Sequence, residues 1–114
     1  MATSGPVVVL HALEMGRGDD ELGAKLTGSF LRTLVSTDPK PDCIVFYNAA
    51  VKLLSSESPV LDTLRQLDDT GVDLLACVTC LEFFGLTERI AVGHVSNMRE
   101  IAQRLLAASN VVTI

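Results

Sequence analysis

The stretch PVVVL, residues 6–10, decides the fold class, because every side chain after the proline is branched and apolar. A strand with one solvent-exposed face alternates polar and apolar residues, whereas this run is apolar at each successive position. Such a run is typical of a strand that is buried on both faces. It therefore predicts the first strand of a parallel sheet that helices cover on both sides.

Similar apolar runs recur along the chain and predict three more strands, at residues 43–47, 72–77 and 110–114. Helical patterns alternate with them. The first helix is predicted over residues 19–35, with acidic residues in its first turn and apolar residues spaced four apart on one buried stripe. That stripe consists of Leu22, Leu26, Phe30 and Leu34.

Two further helices are predicted from their start signals. Ser58 followed by Pro59 reads as an N-cap and a first helical residue, and Gly71 lies just past the predicted end. The buried stripe of this helix is Val60, Leu61, Leu64 and Leu67. The last helix follows Asn97, because Asn97 and Glu100 have the spacing of a capping box.

Strands that alternate with helices indicate a three-layer α/β/α sandwich around a mainly parallel sheet of four to five strands. At 114 residues, the chain is predicted to form a single domain over residues 1–114. Residues 87–96 carry no decisive pattern, and we assign no element to them. A hydrophobic content of 48% is high for a small monomer, and it favours subunit contacts in a homo-oligomer.

Composition excludes several classes of function. Nine basic and fourteen acidic residues give a net charge of −5, and no cluster of Lys and Arg exists, so nucleic acid is not an expected partner. No apolar run approaches the roughly 20 residues that cross a bilayer, so no membrane association is expected. Three cysteines and no recognisable signal peptide predict a reducing, cytoplasmic location.

The candidate site follows from the rule that ligands of open α/β sheets gather beyond the carboxyl ends of the strands. The loops after the first three strands contain residues 15–19, 48–52 and 77–80, and we expect them to share one edge of the sheet. At this edge we expect the Cys77 thiol to be accessible, and we expect Cys43 to be buried.

The pair Cys77 and Cys80 is the strongest chemical signal in the chain. Thr79 and Glu82 fit a capping box, so Thr79 is predicted as an N-cap that places both thiols at a helix N-terminus. That position lowers a thiol pKa and favours the reactive thiolate. Two alternatives stay open at this point: the cysteines are small core residues, or they form half of a zinc site. Further zinc ligands are restricted to His11, His94 and Cys43.

Other residues on the same loops are candidates for supporting roles. Lys52 and Arg17 are cations that would hold a thiolate or persulfide ionised, although exposed basic residues are more often simply solvated. Asn48 opens the second loop. His11 is a candidate base for Cys77, the alternative being a structural histidine at the end of a strand.

Four blocks of the sequence carry a family resemblance: EMGRGDDELGAKL at residues 14–26, NAAVKLL at 48–54, CVTCLEFFGL at 77–86 and VGHVSNMREI at 92–101. In this order they resemble the DsrE/DsrF-like family, and most closely its YedF-type proteins, which are sulfurtransferase-like and linked to selenium metabolism. The resemblance implies an oligomeric α/β/α domain. We expect no cofactor and no bound metal. It also implies a persulfide on Cys77 and an accessory role for Cys80.

The resemblance further implies that sulfur or selenium donor and acceptor proteins are the partners. In one respect the chain departs from many other branches of the family: Phe83, Phe84 and Gly85 replace an Arg-Gly pair, which removes a positive charge near the sulfur. Two classes of function remain at the sequence level. One is a persulfide carrier that acts as an enzyme; the other is a non-catalytic oligomeric binding module, or a thiol/disulfide redox or metal-binding protein.

Overall fold

The computed structural model describes residues 5–114 and consists of one parallel sheet with helices on both faces. Its strands are β1 (Val7–Leu10), β2 (Cys43–Phe46), β3 (Asp73–Cys77), β4 (His94–Ser96) and β5 (Val111–Thr113). They lie in the order β4-β3-β2-β1-β5, and every neighbouring pair is parallel. The connecting helices are α1 (Asp20–Ser36), a 3-10 helix (Asn48–Leu54), α2 (Leu61–Asp69), α3 (Val78–Phe83) and α4 (Met98–Ala107). The predicted α/β sandwich is confirmed.

The strand residues divide between two apolar clusters because successive side chains point to opposite faces of a sheet. On one face, Val8, Ile44 and Leu74 pack against α1, α2, α3 and the 3-10 helix. On the other face, α4 supplies the cover through Ile101, and the strands contribute a second cluster. The strand members of that cluster are Val7, Val9, Cys43, Val45, Leu75 and Cys77.

Helix α1 buries only the second half of the predicted stripe, because Leu34 is buried and Phe30 is partly buried against the core. Leu22 and Leu26 are exposed, whereas Gly23, Thr27 and Leu31 are buried. The reason is the β1–α1 loop: a Cβ atom at Gly23 would lie 2.6 Å from Glu14 Cβ. The loop therefore packs against the small residues of the helix, and this packing rotates the two leucines outward.

Of the two predicted helix starts, the one at Asn97 is confirmed and the one at Ser58 is wrong. Asn97 is the N-cap of α4, where its side chain accepts a hydrogen bond from the Glu100 N–H, as predicted. Helix α2 instead begins at Leu61, because Ser58 Oγ accepts from the Val60 N–H in a preceding turn. The unassigned residues 87–96 contain β4, an edge strand of three residues. Within residues 5–114, no helix combines the length and the apolarity needed to cross a membrane.

The buried thiol of Cys43 makes stability depend on pH. It is fully buried, as predicted, and this burial raises its pKa from 9.0 to about 11. Between these two values the unfolded chain loses a proton that the folded chain keeps, so stability falls as pH rises. Two pKa units correspond to about 3 kcal/mol of unfolding free energy.

We therefore expect urea unfolding of the wild type to show falling stability between pH 9 and 11, with a much shallower fall in Cys43→Ala. The difference between the two profiles isolates this thiol, because other titrating groups are common to both proteins. Parallel profiles over that pH range would contradict the account.

Candidate functional site

Three loops leave the sheet at one edge, as the sequence predicts. Leu10, Phe46 and Ala76 are in-register partners on β1, β2 and β3. Because these strands are parallel, the chain segments that follow them all start from the carboxyl edge. The cysteine pair and the segment that begins at Asn48 therefore share this edge.

The turn from β3 into α3 differs from the predicted capping box. Cys77 is both the last residue of β3 and the N-cap of α3, and its side chain makes no capping hydrogen bond. Thr79 lies inside the first turn of the helix and is not the N-cap. The chain enters the helix directly from the strand, which leaves no residue between them for a separate cap.

The prediction of an accessible Cys77 thiol is wrong, because Cys77 is only 3% exposed. It shares the sheet face of Leu75 and packs into the cluster that Ile101 of α4 covers. Cys80 is half-buried and touches the apolar clusters on both faces. Both cysteines and Cys43 are free thiols. Of the pair, Cys80 is thus the thiol that solvent and solutes reach.

Asn48 holds the Cys80 sulfur in place. Its backbone N–H donates a hydrogen bond to Cys80 Sγ, with an N–S distance of 3.0 Å. Asn48 has a φ of 53°, a left-handed conformation that Asn tolerates better than most residues. Its own side-chain oxygen accepts from the Ala49 N–H. The predicted site residue therefore acts through its backbone rather than through its amide group.

A cavity of about 360 Å³ opens over the Cys80 side chain. Its walls combine two aromatic rings with two small polar side chains and the thiol. Phe83 is 82% exposed, and its ring meets the Phe84 ring edge-on at 5.1 Å between centroids. The lining residues are Asn48, Thr79, Cys80, Phe83 and Phe84.

Lys52 lies beside this cavity but does not line it. Its ammonium group sits 4.5 Å from the centroid of the Phe84 ring, a cation–π contact. It lines a second cavity, whose walls also include Glu57 and Phe84. The Phe84 ring thus belongs to both cavities, and Lys52 contacts the ring.

His11 and Arg17 are brought together with each other, in a third cavity of about 650 Å³. Asp20 and Ile114 also line it, whereas neither cysteine does. The His11 ring stacks near Tyr47, with 6.3 Å between centroids. The structure therefore divides the predicted site residues: Asn48, Thr79 and Cys80 share one cavity, and His11 with Arg17 shares another.

Desolvation decides the ionisation of Cys80. Burial raises its pKa, the Asn48 N–H lowers it, and the hydrogen bond with the neighbouring Cys77 thiol raises it further. The net shift is upward, so the predicted lowering by a helix N-terminus is wrong for this thiol. Burial is the largest of these contributions and exceeds that of the Asn48 N–H, so the neutral thiol is favoured.

Alkylation of Cys80 by iodoacetamide is expected to follow this raised pKa. The thiolate is the nucleophile, so the rate should rise about tenfold for each pH unit from 7 to 9 and reach no plateau in that range. Peptide mapping by mass spectrometry assigns the alkylated residue at each pH. A rate that levels off near pH 7 would show a lowered pKa and contradict this reading.

One residue beside Cys77, Ser96, was missed by the sequence analysis. Ser96 is the in-register partner of Cys77 on β4, and it is buried. Its hydroxyl donates a hydrogen bond to Glu100 Oε1 on α4. No pattern in residues 87–96 revealed this strand, so nothing in the sequence placed Ser96 beside the cysteine.

The zinc alternative finds no support in the described residues. Across residues 5–114, no group of three or more His, Cys, Asp or Glu side chains is placed to hold a metal ion. Four ligands are usual for a structural zinc site, and the cysteine pair offers two.

Comparison with known proteins reveals the family. The model of the DsrE/DsrF-like family matches residues 2–114. No match is found among curated proteins. The likeness to the YedF type is tested by neither comparison and stays a prediction.

Solved structures share the fold. The YchN protein of Escherichia coli is 20% identical over 97% of this chain and 99% of its own, with a TM-score of 0.75. MTH1491 of Methanobacterium thermoautotrophicum, a protein of unknown function, is 22% identical over 94% of this chain and 98% of its own, with a TM-score of 0.67. At these identities the likeness concerns the fold alone.

Proposed function

The chain belongs to the DsrE/DsrF-like family, and from this premise we propose that it is a sulfur or selenium carrier whose cysteine pair holds a persulfide. The observation that carries the proposal is the geometry of Cys80. Its sulfur accepts a hydrogen bond from the Asn48 N–H at 3.0 Å and lines an open cavity, and the nearby buried Cys77 thiol contributes to its raised pKa. A soft nucleophile at a cavity, with a second thiol behind it, suits transfer of a sulfane sulfur.

Loading starts at Cys80, because it is the thiol that a donor reaches. The Cys80 thiolate attacks the outer sulfur of a donor persulfide R–S–SH, a new S–S bond forms between them, and the S–S bond within the donor breaks. R–S⁻ leaves and takes up the proton that Cys80 released. The products are Cys80–S–SH and R–SH, so no external oxidant or reductant is needed.

Cys77 then receives the sulfur from Cys80. Its thiolate attacks the outer sulfur of Cys80–S–SH, which gives Cys77–S–SH and restores the Cys80 thiol. Because Cys77 is 3% exposed, its persulfide is shielded from solvent thiols. This retains Cys77 as the carrier that the resemblance implies and makes Cys80 the thiol through which it is loaded. Attack on the inner sulfur would instead release H₂S and leave a disulfide.

The supporting residues act on Cys80 from different distances. The Asn48 N–H stabilises the thiolate, whereas Lys52 packs over the Phe84 ring of the cavity wall. An acceptor would bind at the same cavity. A selenium donor in place of a sulfur donor would bind there too. A cytoplasmic location suits the proposal, since the pair has to stay reduced between cycles.

The intact mass of the wild type, purified without reductant and incubated with a sulfane-sulfur donor, tests this function. We expect a gain of about 32 Da, one sulfur atom, which dithiothreitol removes. A dithiol redox protein would instead lose two hydrogens, and a non-catalytic binding module would keep its mass. Either of these two results would overturn the carrier function.

We also propose that the protein is a homo-oligomer. Large apolar side chains remain exposed on several elements, although Phe84 packs against the core and is not part of that surface. The exposed set is Leu22, Leu26, Phe83, Val95, Met98, Leu106, Val111 and Val112. Burial of this surface between copies is favourable for all members except Phe83, whose ring lines the open cavity over Cys80. Light scattering should therefore give at least twice the 12.2 kDa of one chain, and a single-chain mass across micromolar concentrations would contradict the proposal.

A further inference from the structure

Among residues 5–114, no ionised side chain lines the cavity over Cys80. The members of its wall are two phenylalanine rings, one amide, one hydroxyl and the thiol. Lys52 contacts the wall from outside, because it lies over the Phe84 ring and lines the neighbouring cavity with Glu57. The chain as a whole carries a charge of −5. Both features disfavour an anion at the thiol.

The same wall offers an apolar molecule a surface to contact. The Phe83 ring is 82% exposed and stands edge-on to the Phe84 ring, so the two rings form a corner beside the sulfur. A volume of about 360 Å³ lies within the usual range of small-molecule sites. Aromatic rings in such a corner gain both buried area and edge-to-face contacts with an apolar guest.

We propose that this cavity selects hydropersulfide donors R–S–SH, whose outer sulfur is transferred and whose group R is small, uncharged and apolar. The inference rests on the proposed function and names its donor class. The transfer is R–S–SH + Cys80–SH → R–SH + Cys80–S–SH, in which R occupies the corner formed by Phe83 and Phe84. Thiosulfate is a small dianion, and transfer of its outer sulfur releases sulfite. We therefore expect it to be a poor donor.

Two matched thiol reagents test the selection without any sulfur transfer. Benzyl methanethiosulfonate is neutral and apolar, and 2-sulfonatoethyl methanethiosulfonate is an anion; each forms a mixed disulfide with a thiolate and expels methanesulfinate. Rates at Cys80, assigned by peptide mapping, are divided by the rates with 2-mercaptoethanol to remove the intrinsic reactivity of each reagent. We expect the benzyl reagent to be favoured about tenfold.

Substitutions connect that preference to the cavity wall. Phe83→Ala should lower the preference for the benzyl reagent to about twofold. Leu106→Ala should leave this preference unchanged, because it removes an exposed apolar side chain from α4 and not from the cavity. Thr79→Lys places a cation in the wall and should raise the rate of the anionic reagent about tenfold. A preference below twofold in the wild type, or equal effects of Phe83→Ala and Leu106→Ala, would overturn the inference.

Sulfur uptake completes the test. Benzyl hydropersulfide should load the wild type at least tenfold faster than thiosulfate at equal concentration; equal rates would overturn the inference and leave the carrier function intact. A protein that prefers the benzyl thiosulfonate but gains no sulfur from any donor would retain the apolar site and lose the proposed function. The two failures are therefore distinguishable.

Discussion

Replacing Cys80 by serine is expected to abolish sulfur uptake, whereas replacing Cys77 by serine is expected to leave it intact. The reason is access: Cys80 lines the open cavity, and Cys77 lies beneath it with 3% of its surface exposed. A donor reaches Cys77 only through Cys80 in this arrangement. We expect uptake by Cys80→Ser to fall at least a hundredfold, as expected when a covalent nucleophile is removed.

The lifetime of the adduct separates the two variants further. In Cys77→Ser the sulfur has to remain on the accessible Cys80, so glutathione should remove it faster than from the wild type. Cys43→Ala is the matched control, because Cys43 is a third free thiol that lies in the core away from the cavity. It should load as the wild type does. Uptake by Cys80→Ser at the wild-type rate would show that Cys77 meets donors directly and would contradict the loading order.

Gly93→Ala is expected to destabilise the protein by about 3 kcal/mol, the largest loss that we anticipate for a single methyl group. Gly93 has a φ of +80°, which costs any other residue about 1 kcal/mol. In addition, a Cβ atom there would lie 2.8 Å from the Leu74 carbonyl oxygen, in the backbone of β3. Strand β3 cannot move away from the added methyl group easily, because β2 and β4 flank it on both sides.

Gly71→Ala provides the matched control. Its φ is +96°, so the strain is similar, but nothing lies within 4 Å of the added methyl group. Urea unfolding should therefore show a loss of about 1 kcal/mol. Equal losses in the two variants would mean that β4 shifts freely away from β3. The contact matters for the site, because Gly93 precedes the strand that places Ser96 beside Cys77.

The sequence predicted the features that depend on neighbouring residues. An unbroken apolar run needs only two covered faces, so Val7–Leu10 revealed a parallel sheet before any contact was known. The cap at Asn97 involves a side chain and an N–H group three residues apart. The common edge of the three loops follows from the parallel order alone.

The failures concern contacts between distant residues. The exposure of Leu22 depends on the loop that packs at Gly23, which spacing within the helix does not reveal. The burial of Cys77 depends on Ile101, 24 positions later in the chain, whose helix covers that face. The strand β4 has three residues, two of them exposed, and is too short for a periodic signal.

The ionisation of Cys80 shows the same limit in energetic terms. The proximity of a helix start is visible in the sequence and argues for a lowered pKa. Desolvation is not visible there, since it depends on the walls that Phe83 and Phe84 build around the thiol. Burial is the largest contribution to the pKa of Cys80, and it raises that pKa. The reactivity of Cys80 therefore depends on its position and accessibility more than on a lowered pKa.

Locating the sulfur within the cysteine pair tests the central claim most directly. The wild type is loaded with a sulfane donor, washed with glutathione and fragmented between residues 77 and 80 in a mass spectrometer. The account predicts one added sulfur, about 32 Da, on Cys77, because the shielded persulfide survives the wash. Added sulfur on Cys80 alone, or on neither cysteine, would contradict it.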